Sequence, residues 1–205
     1  LLMQITDNLK NDISDAPSWF HDAINIKPSE KILKDAKGNL SYSVWPSLSE
    51  NKNLMIFIHG TGAHKKWWYP IAPQFVNYSN VIAVDLPGMG DSGFREKYSI
   101  KDFGQCIISI IEKEKSNMNI DNISIIGHSL GGQVAGYVAS EEKNLVSNLI
   151  MIDTFIRPPD WDPSQNEGGP LRMIKYYPDK TTILKRFRLL PQQECDNEWF
   201  VRYIS

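Results

Sequence analysis

Ser129 stands at the centre of Gly127-His128-Ser129-Leu130-Gly131, directly behind the apolar run Ile123-Ser124-Ile125-Ile126. A serine hydroxyl attacks a carbonyl carbon only when a neighbouring base takes its proton, so it has to be held out at the end of a strand where a histidine can reach it. Glycines two residues before and after the serine let a strand reverse sharply into a helix, because a Cβ at those positions would block the close backbone approach. Gly132 extends the pattern and lets the helix expected over 133–140 pack against the strand it has just left. The ordinary alternative for Ser129 is a helix N-cap, whose side chain would bond back to the first turn.

Asp153 closes another apolar run, ending at Ile152. Its carboxylate is suited either to orient a histidine or to cap the turn that follows. Gly88-Met89-Gly90-Asp91-Ser92-Gly93 satisfies G-x-G-x-x-G behind a third run, the spacing of a dinucleotide site. That reading fails on chemistry. Asp91 puts a carboxylate where a pyrophosphate would bind, Pro87 interrupts the approach, and no strand ends in an acid about 20 residues further on. The loop is expected to shape the fold instead, with Asp85 bonding to its own turn.

The elements that must position these residues are legible as four short apolar runs ending at Ile58, Val84, Ile126 and Ile152. Each is nearly continuous, which predicts strands covered on both faces, parallel to one another, with connections long enough for crossover helices. Ile100, Phe103, Ile107, Ile110 and Ile111 recur at helical spacing, with Ser99 and Asp102 as an N-cap and its reciprocal partner. Ile32-Leu33 and Leu40 to Trp45, around Lys37-Gly38-Asn39, read as an antiparallel hairpin. A sheet that stops at the fourth run exposes an unpaired hydrophobic edge. After Asp153 the texture turns to Pro158, Pro159, Trp161, Pro163, Gly168, Gly169 and Pro170. Asp179 is placed to cap a helix through Thr182, Leu184 and Arg186, and Trp199, Phe200, Tyr203 and Ile204 mark a last helical piece.

Taken in order, these segments resemble the α/β-hydrolase superfamily. The glycine-flanked serine resembles that family's nucleophile elbow, His59-Gly60-Thr61-Gly62 its His-Gly loop after the third strand, and Asp85 to Gly93 its loop after the fourth. The fold class implied is α/β: a mostly parallel sheet flanked by helices, with a helical lid. Residues 1–154 would form the N-terminal part of the core and 155–205 an incomplete lid or cap, with the C-terminal strands outside the chain.

The resemblance also implies roles. Ser129 becomes the nucleophile, and the backbone N–H groups of Leu130 and Thr61 become the oxyanion hole, each donor worth ~3 kcal/mol in the transition state. Asp153 becomes the acid; most of the superfamily carries it after the next strand, but Thr154-Phe155-Ile156-Arg157-Pro158 is similar to the haloalkane dehalogenase branch, which carries it here. Dehalogenases and epoxide hydrolases use aspartate where this chain has Ser129, which disfavours those two reactions. The family's histidine follows its last strand, whereas His21, His59, His64 and His128 all precede or touch the elbow. His64 is the one in a loop near the mouth. The simpler expectation is a base beyond residue 205, in two further strand–helix units of on the order of 60 residues, which leaves the isolated chain inactive.

The function implied is a serine hydrolase cleaving an ester-like acyl bond of an apolar small molecule through an acyl-enzyme. Thioester or carbon–carbon bond hydrolysis on the same site is one alternative, and a non-catalytic ligand-binding member lacking the base is another. No metal and no organic cofactor is needed. Trp67 and Trp68 suit an apolar pocket or plain core packing. With 22 basic against 24 acidic residues and no block of like charge, nothing points to nucleic acid or an anionic membrane. No run approaches the ~20 apolar residues of a membrane span, and Leu1-Leu2-Met3 lacks the features of a signal peptide. Cys106, in an apolar helical stretch far from Cys195, reads as a free thiol, and the expected location is cytoplasmic.

Overall fold

The continuous apolar runs become the parallel part of one sheet: β3 (Asn53–Ile58), β4 (Asn80–Val84), β5 (Asn122–His128) and β6 (Asn148–Ile152). β1 (Ser29–Asp35) and β2 (Gly38–Trp45) form the expected hairpin, and β2 joins β4 antiparallel, giving the order β1-β2-β4-β3-β5-β6. The computed structural model describes residues 13–156, 179, 182 and 196–204. The chain divides into two compact units, Trp19–Ile156 and a second made of Leu1–Ser18 with Arg157–Ser205.

Burial on both faces explains why the central strands lost their alternation. Ile56, Ile58, Ile82, Val84, Ile123 and Ile125 pack against Ile107, Ile110 and Ile111 of α2 (Ile100–Asn117) and Val134 and Val138 of α3 (Leu130–Glu141). On the other face Phe57, Val81, Ala83 and Ile126 pack with Trp45, Trp68 and Val76. Each such side chain contributes about 1.5–3 kcal/mol relative to exposure, so neither face can be spared for polar residues. Trp68 is buried against Phe57, the rings tilted by 40° with centroids 5.0 Å apart, which makes it a core residue.

Two expectations are corrected. The β3–β4 crossover contains two short 3-10 helices, Lys65–Trp68 and Ala72–Phe75; Pro70 and Pro73 each remove a donor and disfavour a longer α-helix there. β6 is not covered on both faces. Among the described residues it ends the strand order of the sheet, and its Leu149, Ile150 and Ile152 are exposed, a hydrophobic edge.

α1 (Ser18–Asn25) leads into the hairpin, and the Trp45 indole N–H donates to the Ile26 carbonyl at 2.8 Å. α2 begins as expected, with the Ser99 hydroxyl accepting from the Asp102 N–H at 3.0 Å. Further along, the fully buried Glu114 reaches the hairpin, accepting from Lys31 at 2.8 Å and from the Tyr42 hydroxyl at 2.7 Å. In the second unit the Asp179 carboxylate accepts from the Thr182 N–H at 2.8 Å, and α4 (Glu198–Ile204) covers the last expected helical piece. The rest of the expected lid, including the stretch from Pro158 to Pro170, Leu184, Arg186 and Cys195, lies outside the described residues. No helix among the described residues is long and apolar enough to cross a membrane.

Glu114 yields the first prediction. Glu114→Ala strands the buried Tyr42 hydroxyl and is expected to cost about 1–3 kcal/mol of unfolding free energy in urea titrations. A loss below a few tenths of that would mean the carboxylate does not hold the hairpin to α2.

Candidate active site

Strand β5 ends at His128 and helix α3 starts at Leu130, so the whole reversal falls on Ser129. Its φ of 51° and ψ of −116° lie in a region that costs a residue with a Cβ about 1–3 kcal/mol. The side chain does not cap α3, and its hydroxyl has no hydrogen-bond partner among the described residues. The backbone, by contrast, is fully held. The Ser129 N–H donates to the Ile152 carbonyl of β6 at 3.0 Å, and the Ser129 carbonyl accepts from Gly132 and Gln133 at 3.0 and 3.3 Å.

The flanking glycines are obligatory for packing reasons. A Cβ on Gly127 would lie 2.2 Å from the Gly131 carbonyl oxygen, and one on Gly131 would lie 2.4 Å from the carbonyl oxygen of Ile58. The close approach expected of Gly132 is therefore made by Gly131, and against the neighbouring strand β3. Gly132 faces Thr154 instead, whose Oγ1 would be 2.0 Å from its Cβ.

Parallel pairing brings the other expected residues to the same edge. Ile58 pairs with Gly127, so His59-Gly60-Thr61-Gly62 opens beside the elbow, and a Cβ on Gly60 would lie 3.2 Å from that of Ser129. Thr61 is exposed and Leu130 half-buried, and neither N–H has an acceptor among the described residues. Ile152 pairs with His128, so Asp153 emerges next to Ser129. Asp153 also has positive φ, at 46°. Its side chain is 87% exposed, with Oδ2 4.0 Å from Nε2 of His128, too long for a hydrogen bond. Among the described residues no histidine is hydrogen-bonded to Ser129.

His59 and a residue that sequence reasoning missed, Lys65, hold the loops at this edge. The buried His59 ring lies 2.7 Å from the Gly60 carbonyl through Nδ1, and its Nε2 accepts the Leu86 N–H at 3.1 Å, which assigns the proton to Nδ1. Burial holds this imidazole below its ordinary value, so it is neutral at neutral pH. Lys65, 1% exposed, reaches Asp85 at 3.0 Å, Asp91 at 2.7 Å and the Ser41 hydroxyl at 2.7 Å. Burial lowers the affinity of its amine for a proton, but the hydrogen bonds to Asp91 and Asp85 outweigh it and raise the value, while Lys65 in turn lowers that of Asp91.

Asp85 also accepts the backbone N–H groups of Lys65 and Asp91, at 2.6 and 2.9 Å. The glycine loop thus wraps its own carboxylate, and Gly90 comes so near that a Cβ there would lie 2.2 Å from Oδ1 of Asp85. That arrangement leaves no cradle for a phosphate. Away from Ser129, a cavity of about 200 Å³ lies between the β1–β2 turn and the first turns of α2, with Arg95, Tyr98, Phe103 and Cys106 in its lining. None of Ser129, Asp153, Thr61 or Leu130 lines it. Arg95 there is paired with Asp35, and burial pushes the Cys106 thiol up.

The profile of the α/β hydrolase fold matches residues 53–186. The chain is 31% identical over 150 residues to a pimeloyl-[acyl-carrier protein] methyl ester esterase of Pseudoalteromonas atlantica, covering 69% of this chain and 54% of that protein. It is 30% identical over 104 residues to a soluble epoxide hydrolase of Corynebacterium sp., covering 48% of this chain and 34% of the other. A thioesterase domain from the curacin biosynthetic pathway superposes with a TM-score of 0.54 at 25% identity, over 62% of this chain and 46% of that one. The chain spans about half the length of the esterase and about a third of the epoxide hydrolase. It belongs to the α/β-hydrolase fold family.

The neutral, buried His59 makes stability depend on pH. As pH falls below the ordinary imidazole value of 6.5 the unfolded chain takes up a proton that the folded one refuses, so folding stability present above that value declines toward the lower folded one. His59→Gln is expected to be less stable at pH 7.5 and to show a shallower decline in unfolding free energy between pH 7.5 and 5.5. An unchanged slope would contradict the assignment.

Proposed function

We propose that this member of the family is a serine hydrolase, cleaving an ester-like acyl bond of an apolar small molecule through an acyl-enzyme on Ser129. One observation carries the reading: Ser129 is held at strained positive φ while its hydroxyl neither caps α3 nor has a hydrogen-bond partner among the described residues, which leaves it available for attack. A strained residue persists only where its surroundings over-determine it. Serine rather than aspartate at this position favours acyl transfer over epoxide opening.

The chemistry proceeds from the neighbours. The Ser129 hydroxyl loses its proton to a base as Oγ attacks the carbonyl carbon, and the developing oxyanion is met by the N–H groups of Thr61 and Leu130, which have no other acceptor among the described residues. Collapse expels the alcohol, and water then cleaves the acyl-enzyme by the same route. The base we assign is a histidine outside these 205 residues, oriented by Asp153, whose exposed carboxylate leaves room for an incoming imidazole. The reaction needs no metal or organic cofactor. Likeness to a thioesterase domain favours thioesters as a second substrate class for the same serine.

Fluorophosphonate treatment of the full-length protein is expected to label Ser129 alone, and Ser129→Ala to abolish turnover of short-chain p-nitrophenyl esters. Asp153→Asn, which keeps the shape and removes the charge, is expected to lower kcat by about 10³ to 10⁴ with little change in melting temperature. A fall of less than tenfold would move the acid to another residue.

A further inference from the structure

Ser129 and Asp153 are the two non-glycine residues with positive φ among the described residues, and each follows the end of one of two paired strands, β5 and β6. Such conformations relax unless neighbours hold them. Thr154 is the neighbour shared by both. Its Oγ1 lies 3.0 Å from the Ile152 carbonyl and 3.3 Å from the Ser129 carbonyl, so one hydroxyl proton is divided between the residue before the acid and the nucleophile itself. The Ile152 carbonyl also accepts the Ser129 N–H at 3.0 Å, which closes a ring of hydrogen bonds across the two strand ends.

The hydroxyl is seated by a missing side chain. A Cβ on Gly132 would lie 2.0 Å from Oγ1 of Thr154 and 2.9 Å from both its Cβ and Cγ2, so the threonine rests directly on the backbone of the first turn of α3. One residue further on, the Gln133 side-chain amide donates to the Phe155 carbonyl at 3.2 Å, a second stitch between α3 and the same segment. Neither Thr154 contact is needed to form the helix, whose first turn already satisfies the Ser129 carbonyl through Gly132 and Gln133.

We propose that Thr154 is a positioning residue for hydrolysis, fixing the spacing between Ser129 and Asp153 through the backbone without touching substrate. This rests on Ser129 acting as nucleophile and Asp153 as the acid. Loss of the hydroxyl leaves the elbow folded but frees the start of the segment after β6 to drift, and a displacement on the order of 1 Å between reacting groups costs up to about a hundredfold in rate.

The test uses the full-length protein with p-nitrophenyl butyrate as the probe. Thr154→Val is expected to lower kcat about tenfold with KM within about twofold and melting temperature nearly unchanged, and Thr154→Ser to remain within about threefold of the parent, because it keeps the hydroxyl. An unimpaired Thr154→Val, or an equal loss of rate in both variants, overturns the proposal. So does a fall in rate accompanied by a matching fall in melting temperature. Ser129→Ala is measured alongside: an inactive Ser129→Ala beside an unimpaired Thr154→Val refutes the role of Thr154 alone, whereas an active Ser129→Ala refutes the nucleophile and this inference together.

Discussion

The close contact between backbone at Gly127, Gly131 and the end of β3 is the constraint on which the rest of this edge depends. With 2.2 Å and 2.4 Å as the separations that a Cβ would create, no side chain fits, and helix α3 must start within one residue of β5. That forces the positive φ onto Ser129, the one residue between the two elements. Strain, a hydroxyl that does not cap α3 and a first N–H of α3 without an acceptor among the described residues are thus consequences of a single packing fact. A larger residue at either glycine would lift the helix from the sheet and lose all three together.

A second constraint holds the loop that faces the serine. His59 and Lys65 bracket His59-Gly60-Thr61-Gly62 and bind the loop after β4 from two directions, the first through the Leu86 N–H and the second through Asp85 and Asp91. A lysine this deeply buried is stable only because carboxylates and the Ser41 hydroxyl accept its hydrogen bonds. The glycine pattern at Gly88, Gly90 and Gly93, which mimics a nucleotide fingerprint, serves this enclosure: positive φ at Gly88 and Gly90 folds the loop around Asp85.

Much of this was legible in the sequence. Strand identity, the parallel arrangement, the hairpin, the cap at Ser99 and the strand–turn–helix at Ser129 follow from local periodicity and glycine spacing, which act over a few residues. What escaped is long-range. Lys65 looks like any surface lysine, and its partners lie 20 and 26 residues away in a loop that only the fold brings back. The seat of Thr154 on Gly132 depends on strand pairing in the same way, and so does the exchange of roles between Gly131 and Gly132. The exposure of β6 on both faces, where its continuous apolar run predicts burial, arises because burial belongs to a strand's neighbours, which its own residues do not encode.

The most direct test of the account is a crystal structure of the full-length protein after reaction with an alkyl fluorophosphonate. The account predicts a covalent bond from phosphorus to Oγ of Ser129, with the phosphoryl oxygen about 2.7–3.1 Å from the backbone nitrogens of both Thr61 and Leu130. Phosphorus on another residue, or a phosphoryl oxygen turned away from both amides, would contradict it.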